Sequence, residues 1–209
     1  VETAIVDWGF NAWGGKYPPW ADDDAVPTKV AQQLGLPVFN ADIVMEGGAI
    51  DVNGEGTLLT TMSCLLNKNR NPGVPKAEIE RYLKAYYGQQ HIVWLGEGIV
   101  GDDTDGHVDD LARFIDKRTI VTAVESEVIE LPMPRAVVHE GMRLPATYVN
   151  FYFVNGALLV PTFGDRKRDA EALRILRGVV PNRQVIGVNC RALIWGLGAV
   201  HCLTQQQPR

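Results

Sequence analysis

The chain is short of sulfur and has no surplus of positive charge. Its three cysteines, Cys64, Cys190 and Cys202, are an odd number without metal-ligand spacing. Reduced thiols in a cytoplasmic setting are the simplest reading. Lysine and arginine number 20 against 25 acidic residues, a formal net charge of -5. That balance supplies no basic patch for nucleic acid and nothing to attract an anionic membrane, whereas a cationic substrate suits it. No apolar run is long enough to cross a bilayer. Neither a signal peptide nor an initiator methionine opens the chain, so its true N-terminus is expected upstream. What is present is ordinary for a globular protein: 209 residues, 46% hydrophobic, suited to one domain (1–209) with a substantial core.

Within that length a hairpin, a helix and a strand recur. Gly48–Val52 and Gly56–Thr60 flank Asn53-Gly54, the strongest short hairpin signal. Lys76–Tyr87 follows with Ala77, Ile79, Leu83 and Tyr86 at helical spacing, then the strand His91–Leu95. The pattern returns as Tyr148–Val154 and Ala157–Thr162 around Asn155-Gly156, a helix over Asp169–Arg177, and the strand Gln184–Val188. Between these units, Val108–Ile115 and Thr119–Val124 flank Asp116-Lys117-Arg118, but the chain passes directly to Glu127–Leu131. A hairpin needs a helix to cover its buried face, so a helical segment is expected to be lacking near Glu125-Ser126. At the start, Thr3–Asp7 reads as a strand without its hairpin partner, followed by a helix near Asp23–Leu34.

Two stretches carry reactive side chains. One is Asp102-Asp103-Thr104-Asp105-Gly106-His107-Val108-Asp109-Asp110; the other is Gly196-Leu197-Gly198-Ala199-Val200-His201-Cys202. A thiol needs a nearby base or cation to become a nucleophilic thiolate. On an extended backbone His107 and Asp109 share one face, Asp110 points the other way as a structural residue, and His201 faces away from Cys202. A carboxylate at Asp109 suits a guanidinium, which offers N–H donors in a planar fork. The dense aspartates invite a metal, but they lack the offsets and terminal Glu of an EF-hand loop, and no metal is expected. Glu46 precedes Gly47-Gly48, which lets the backbone pass close to something. Trp13 and Trp20 either wall an apolar pocket or pack against the body of the protein. Cys64 and Cys190 lie in apolar sequence and read as core.

These stretches resemble the agmatine deiminases of the pentein superfamily, which modify guanidino groups. The resemblance extends through Phe10-Asn11-Ala12-Trp13-Gly14-Gly15, Tyr17-Pro18-Pro19-Trp20, Glu46-Gly47-Gly48, Gly54–Thr61, Asn69-Arg70-Asn71-Pro72, Pro145–Phe151 and Val160–Asp165, in family order over nearly the whole chain. Leu197 departs from it, standing where many members have a glycine. The resemblance implies an α/β propeller of hairpin–helix–strand modules with pseudo-fivefold symmetry, incomplete here. It also implies that a helical segment belongs near 125–126 and an N-terminal module upstream. The family's second guanidinium-binding aspartate lies in a Trp-x-Arg-Asp-x-Gly-Pro motif that nothing here matches.

The same resemblance assigns roles. Cys202 is the nucleophile, His107 the proton shuttle and Asp109 the guanidinium holder, with Glu46, Trp13 and Gly198 at the substrate pocket. The expected reaction hydrolyses agmatine to N-carbamoylputrescine and ammonia through a thiouronium on Cys202, with no cofactor. The expected partner is a small cationic guanidino substrate, neither nucleic acid nor membrane, and a homo-oligomer stays open. Two alternatives are a bacterial peptidylarginine deiminase and a non-catalytic guanidine-binding fragment.

Overall fold

The computed structural model describes residues 3–99, 101–122 and 129–204. It begins with a parallel pair, β1 (Ile5–Gly9) beside β2 (Val38–Val44). The single helix expected between them is two: α1 (Ala21–Asp24) and α2 (Val26–Leu34). Pro27 marks the restart, because a residue without an N–H belongs in a first helical turn.

Three three-stranded sheets follow, each with an antiparallel pair and then a parallel one. In the first, β3 (Ile50–Val52) and β4 (Thr57–Thr61) form the hairpin, α3 (Met62–Leu65) and α4 (Lys76–Tyr87) cross over, and β5 (His91–Leu95) returns parallel to β4. The Asn53 side chain accepts from the backbone N–H of Glu55 and Thr57, which locks the turn. In α4 Ile79 and Leu83, one turn apart, are fully buried, and Gly88 at φ 64° ends the helix.

The next unit opens with a helical turn, α5 (Val108–Leu111), in place of the expected strand start. Only β6 (Ala112–Phe114) pairs with β7 (Ile120–Thr122), and β8 (Ile129–Glu130) lies parallel to β7. The expected discontinuity at Glu125-Ser126 falls at 123–128, outside the described residues. A small hairpin, β9 (Val138–His139) with β10 (Met142–Arg143), leads to the last unit. There β11 (Tyr152–Val154) and β12 (Ala157–Thr162) pair antiparallel, α6 (Arg166–Val179) crosses, and β13 (Gln184–Asn189) returns parallel. The first strand is shorter than expected, because Pro145–Phe151 is loop. The helix begins earlier, because the Asp165 side chain accepts from Arg168 N and caps it.

Each complete unit has its own core. Ile43, Leu58, Ile79 and Leu83 fill one, and Tyr148, Phe151, Leu158, Ala172 and Leu176 fill another. Arg113, nearly inaccessible, joins three units: Nε donates to Asp51 on β3, and Nη1 donates to the Phe151 carbonyl. Asp51 in turn accepts from Phe114 N. Among the described residues no helix is long and apolar enough to cross a membrane.

Candidate active site

The chemistry gathers where the ends of these units meet. The loop before α5 is built by its own aspartates. Asp102 accepts from the backbone N–H of Thr104, Gly106 and His107, curling the chain so that Asp105 and Gly106 take positive φ. Asp105 then pairs with Arg70 and Lys16, while Asp103 pairs with Lys16 and accepts from Tyr17. The acid-rich stretch is thus loop scaffolding, which accounts for its density without a metal.

His107 stands at the N-cap of α5, and Asp109 lies within that turn, so the extended-strand alternation does not apply. The two still face each other: His107 Nδ1 is 3.8 Å from Asp109 Oδ1. Behind His107, Nε2 is 2.9 Å from Glu46 Oε2. Gly48 is what lets the strand entry pass this close. A Cβ there would sit 2.4 Å from His107 Nδ1 and 2.9 Å from Asp109 Oδ1.

Cys202 arrives on a short 3-10 turn, His201–Leu203. The residue has an exposed face, but its sulfur points inward, 3.1 Å from Asn150 Nδ2 and 3.4 Å from Asp109 Oδ2. Gly198 passes against it; a Cβ at that position would lie 2.8 Å from Cys202 Cβ. Because the backbone is helical here, His201 does not face away. Its Nδ1 lies 2.7 Å from Asp109 Oδ2, which makes it part of the site.

One further expectation changes. Asp110 does not point elsewhere: the Asn150 amide nitrogen donates to both Asp109 Oδ2 and Asp110 Oδ1 at 3.0 Å. Cys64 is buried, but beside charged groups, with Sγ 3.6 Å from Glu46 Oε2. Glu46, Cys64 and His107 together have the spacing of a metal-binding group. Arg70, however, already donates to both Glu46 oxygens, and a second cation would meet its charge. Trp13 lies in a left-handed turn, Ala12–Gly15, edge-on to Phe10 and Tyr17 at ring distances of 5.4 and 5.8 Å. That turn packs onto Arg70, since a Cβ on Gly14 would meet Asn69 and Arg70. Trp20 precedes α1 and is half-buried.

Charge is sharply divided within this cluster. Burial works to raise the Asp109 carboxyl, but the hydrogen bond from His201 and the charges of His107, His201 and Arg113 outweigh it and hold it below its usual range. Glu46 is likewise lowered: its partners His107 and Arg70 overcome its burial. Asp110, buried beside Asp109 and Asp102 without a cation of its own, is pushed well up. Burial opposes a charged His107, yet Cys64, Glu46 and Asp109 hold it well above the ordinary histidine value. Desolvation, then Asp109 and Asp110, push the Cys202 thiol up. An incoming cation would reverse that last effect. One oxygen in the cluster, Asp109 Oδ1, is buried with no hydrogen-bond partner and sits beside His107. The site therefore offers an unpaired carboxylate oxygen beside an imidazole, and the other oxygen of the same carboxylate lies against a thiol.

Asn150, Arg70 and Arg113 were not singled out as site residues in the sequence. Asn150 and Arg70 sit inside resembling motifs, and for Asn150 a polar residue within an apolar stretch was the available signal.

The model of the Porphyromonas-type peptidyl-arginine deiminase family matches residues 1–127 and 123–208. Agmatine deiminase from Medicago truncatula is 39% identical over 257 aligned positions, which take in 98% of this chain and 69% of that protein. Among solved structures, a cysteine-to-serine variant of C. jejuni agmatine deiminase with substrate bound is 39% identical, with a TM-score of 0.90, covering 96% of this chain and 67% of the other. Agmatine deiminase of Enterococcus faecalis is 31% identical with a TM-score of 0.92, covering 100% and 70%.

Proposed function

The chain belongs to the Porphyromonas-type peptidyl-arginine deiminase family, and from that premise we propose that it is an agmatine deiminase, a hydrolase of guanidino C–N bonds. The observation that carries the reading is the free, buried Asp109 Oδ1 beside His107, on a carboxylate whose other oxygen, Oδ2, lies 3.4 Å from the Cys202 sulfur. A guanidinium can fill that vacancy with an N–H bond, and its positive charge offsets the anions that suppress the Cys202 thiolate. Cys202 then attacks the guanidinium carbon, forming a C–S bond. The C–N bond to the departing amino group breaks as His107 gives it a proton, and ammonia leaves. His107, now neutral, takes a proton from water. The hydroxide adds to the thiouronium carbon, the C–S bond breaks, the new hydroxyl gives its proton to the departed ammonia through solvent, and N-carbamoylputrescine is released with the thiolate restored.

In this reading Asp109 holds the substrate, Glu46 fixes the His107 ring, and Gly198 gives the sulfur room. Trp13 flanks the aliphatic arm. A cytoplasmic setting accords with three free thiols. The modules are read as blades of a propeller about a pseudo-fivefold axis. Three sheets of one order and strand sense support that, with the β1–β2 pair as part of a fourth. The same reading puts a further segment between β7 and β8. Its supports are the division of the family match near 123–127 and an alignment of 257 positions on a chain of 209 residues.

The test is turnover of agmatine against a peptide ending in arginine, with ammonia and ureido product measured for the native chain and Cys202→Ala. Agmatine turnover lost in Cys202→Ala is the expected result. Preference for the peptide would transfer the reading to peptidylarginine. Ligand binding without turnover in the native chain would make it a guanidine-binding protein.

A further inference from the structure

Asn69-Arg70-Asn71-Pro72 has no part in the reaction as drawn, yet Arg70 is one of the most thoroughly engaged side chains in the protein. It is 4% exposed. Its Nε donates to Glu46 Oε1 at 2.8 Å and its Nη2 to Glu46 Oε2 at 3.2 Å, a two-toothed pair. Nη2 also reaches the Thr104 carbonyl, and Nη1 reaches Asp105. Glu46 Oε2 is the same oxygen that His107 Nε2 approaches at 2.9 Å. One carboxylate oxygen therefore serves the guanidinium and the imidazole together.

Consider the imidazole without that guanidinium. Glu46 on one side and Asp109 on the other are both anionic and both face His107. Two buried carboxylates flanking one ring hold it as imidazolium. A base that never releases its proton cannot activate water in the second half of the reaction. The buried cation counters one of the two carboxylates.

We propose that Arg70 is a positioning residue for His107: by sharing the Glu46 carboxylate with the imidazole, it fixes the ring through the Thr104–His107 loop and eases the release of its proton to substrate and water. The proposal rests on the role of His107 given above. The charged and titratable groups facing His107 are Glu46 from the segment after β2, Cys64 from α3, Asp109 from its own turn and Asp102, which accepts from its backbone N–H. Arg70 acts on the ring through Glu46, and His201 acts through Asp109.

The test reads the ring itself, so it does not depend on the substrate. Histidine-labelled protein is titrated by NMR in a Cys202→Ala background, with and without Arg70→Gln or Arg70→Lys. Gln keeps a donor toward Glu46 but not the charge. His107 is expected to release its proton at higher pH in Arg70→Gln, a change of about tenfold in its dissociation constant. In Arg70→Lys it is expected to stay near the parent. In the enzyme with Cys202 intact, Arg70→Gln should accumulate the covalent adduct, seen by intact mass, with kcat falling more than KM rises. An unchanged His107 titration in Arg70→Gln, or an equal shift in Arg70→Lys, overturns the proposal. Should Arg70→Gln not fold, the pair Glu46→Gln and Arg70→Gln leaves no unpaired ion between them. Because the arginine acts through that carboxylate, His107 in the pair should titrate as in Glu46→Gln alone, and a shift between the two would overturn the idea. Failure of the native enzyme to act on agmatine would refute the functional reading while leaving the titration result standing.

Discussion

At the scale of single residues, the site depends on atoms that are absent as well as present. Gly48 has no room for a methyl group beside His107 and Asp109. Gly48→Ala should displace one of them by a few tenths of an ångström or more. We expect kcat/KM to fall by about 100-fold, since small misplacements of reacting groups cost that much, while circular dichroism stays native. Asp110 gives a different kind of prediction. Its folded carboxyl keeps a proton that the unfolded chain gives up at ordinary carboxylate pH. The unfolded state therefore binds fewer protons above that range, and stability from this group falls as pH rises toward the folded value. Asp110→Asn mimics the neutral acid and does not lose it. Its melting temperature relative to native should rise from about pH 4 to about pH 7; a difference that is flat across that window would contradict the assignment. Glu46 and Asp109 run the other way: their lowered values mean stability lost as pH falls through them. The sequence singled out Cys202, His107 and Asp109, which the structure brings together, but misjudged their neighbours. His201 and Asp110 were read on an extended chain, and both lie in helical turns.

At the scale of elements, local grammar was sufficient where a segment contains its own reason to fold. The helix Lys76–Tyr87 and the strand His91–Leu95 were legible residue for residue, because apolar spacing, a preceding Pro75 and a terminal Gly88 all agree. Leu83→Ala should cost about 2–5 kcal/mol by denaturant unfolding, because the side chain is fully buried. The strand β2 was missed although Ala41 and Ile43 alternate with exposed Asn40 and Asp42. Its polar residues masked a half-buried strand, and its partner β1 lies far back in the chain. Tyr148–Phe151, the first part of the expected strand Tyr148–Val154, failed as a strand for a tertiary reason: Asn150 leaves the hairpin line to reach Asp109, Asp110 and Cys202.

At the scale of the whole molecule, Arg113 ties units that have separate cores. It pairs with Asp51, donates to Phe151 and adds its charge to those that hold Asp109 ionised. Arg113→Met removes one partner of a buried pair and should cost about 3–5 kcal/mol. It should also weaken agmatine turnover beyond the loss of folded protein, because Asp109 loses a supporting charge. Activity per folded molecule, measured after correction by unfolding, separates the two effects. A variant that melts early yet keeps full specific activity would show that Arg113 serves the fold alone.

The sequence by itself determined the repeat of hairpin, helix and strand, the family, and the positions of thiol, imidazole and carboxylate. Each depends on residue type and short spacing: Asn-Gly turns, apolar periodicity, a histidine beside aspartates. Tertiary structure decided which polar residues those groups meet. Asn150 is 52 positions from Cys202, and Arg70 is 24 from Glu46; no local pattern links such partners. It also decided which carboxylate keeps a proton. Asp109 and Asp110 are adjacent in the chain and chemically identical, and the His201 hydrogen bond and cations at Asp109, against the anionic neighbours at Asp110, set them apart.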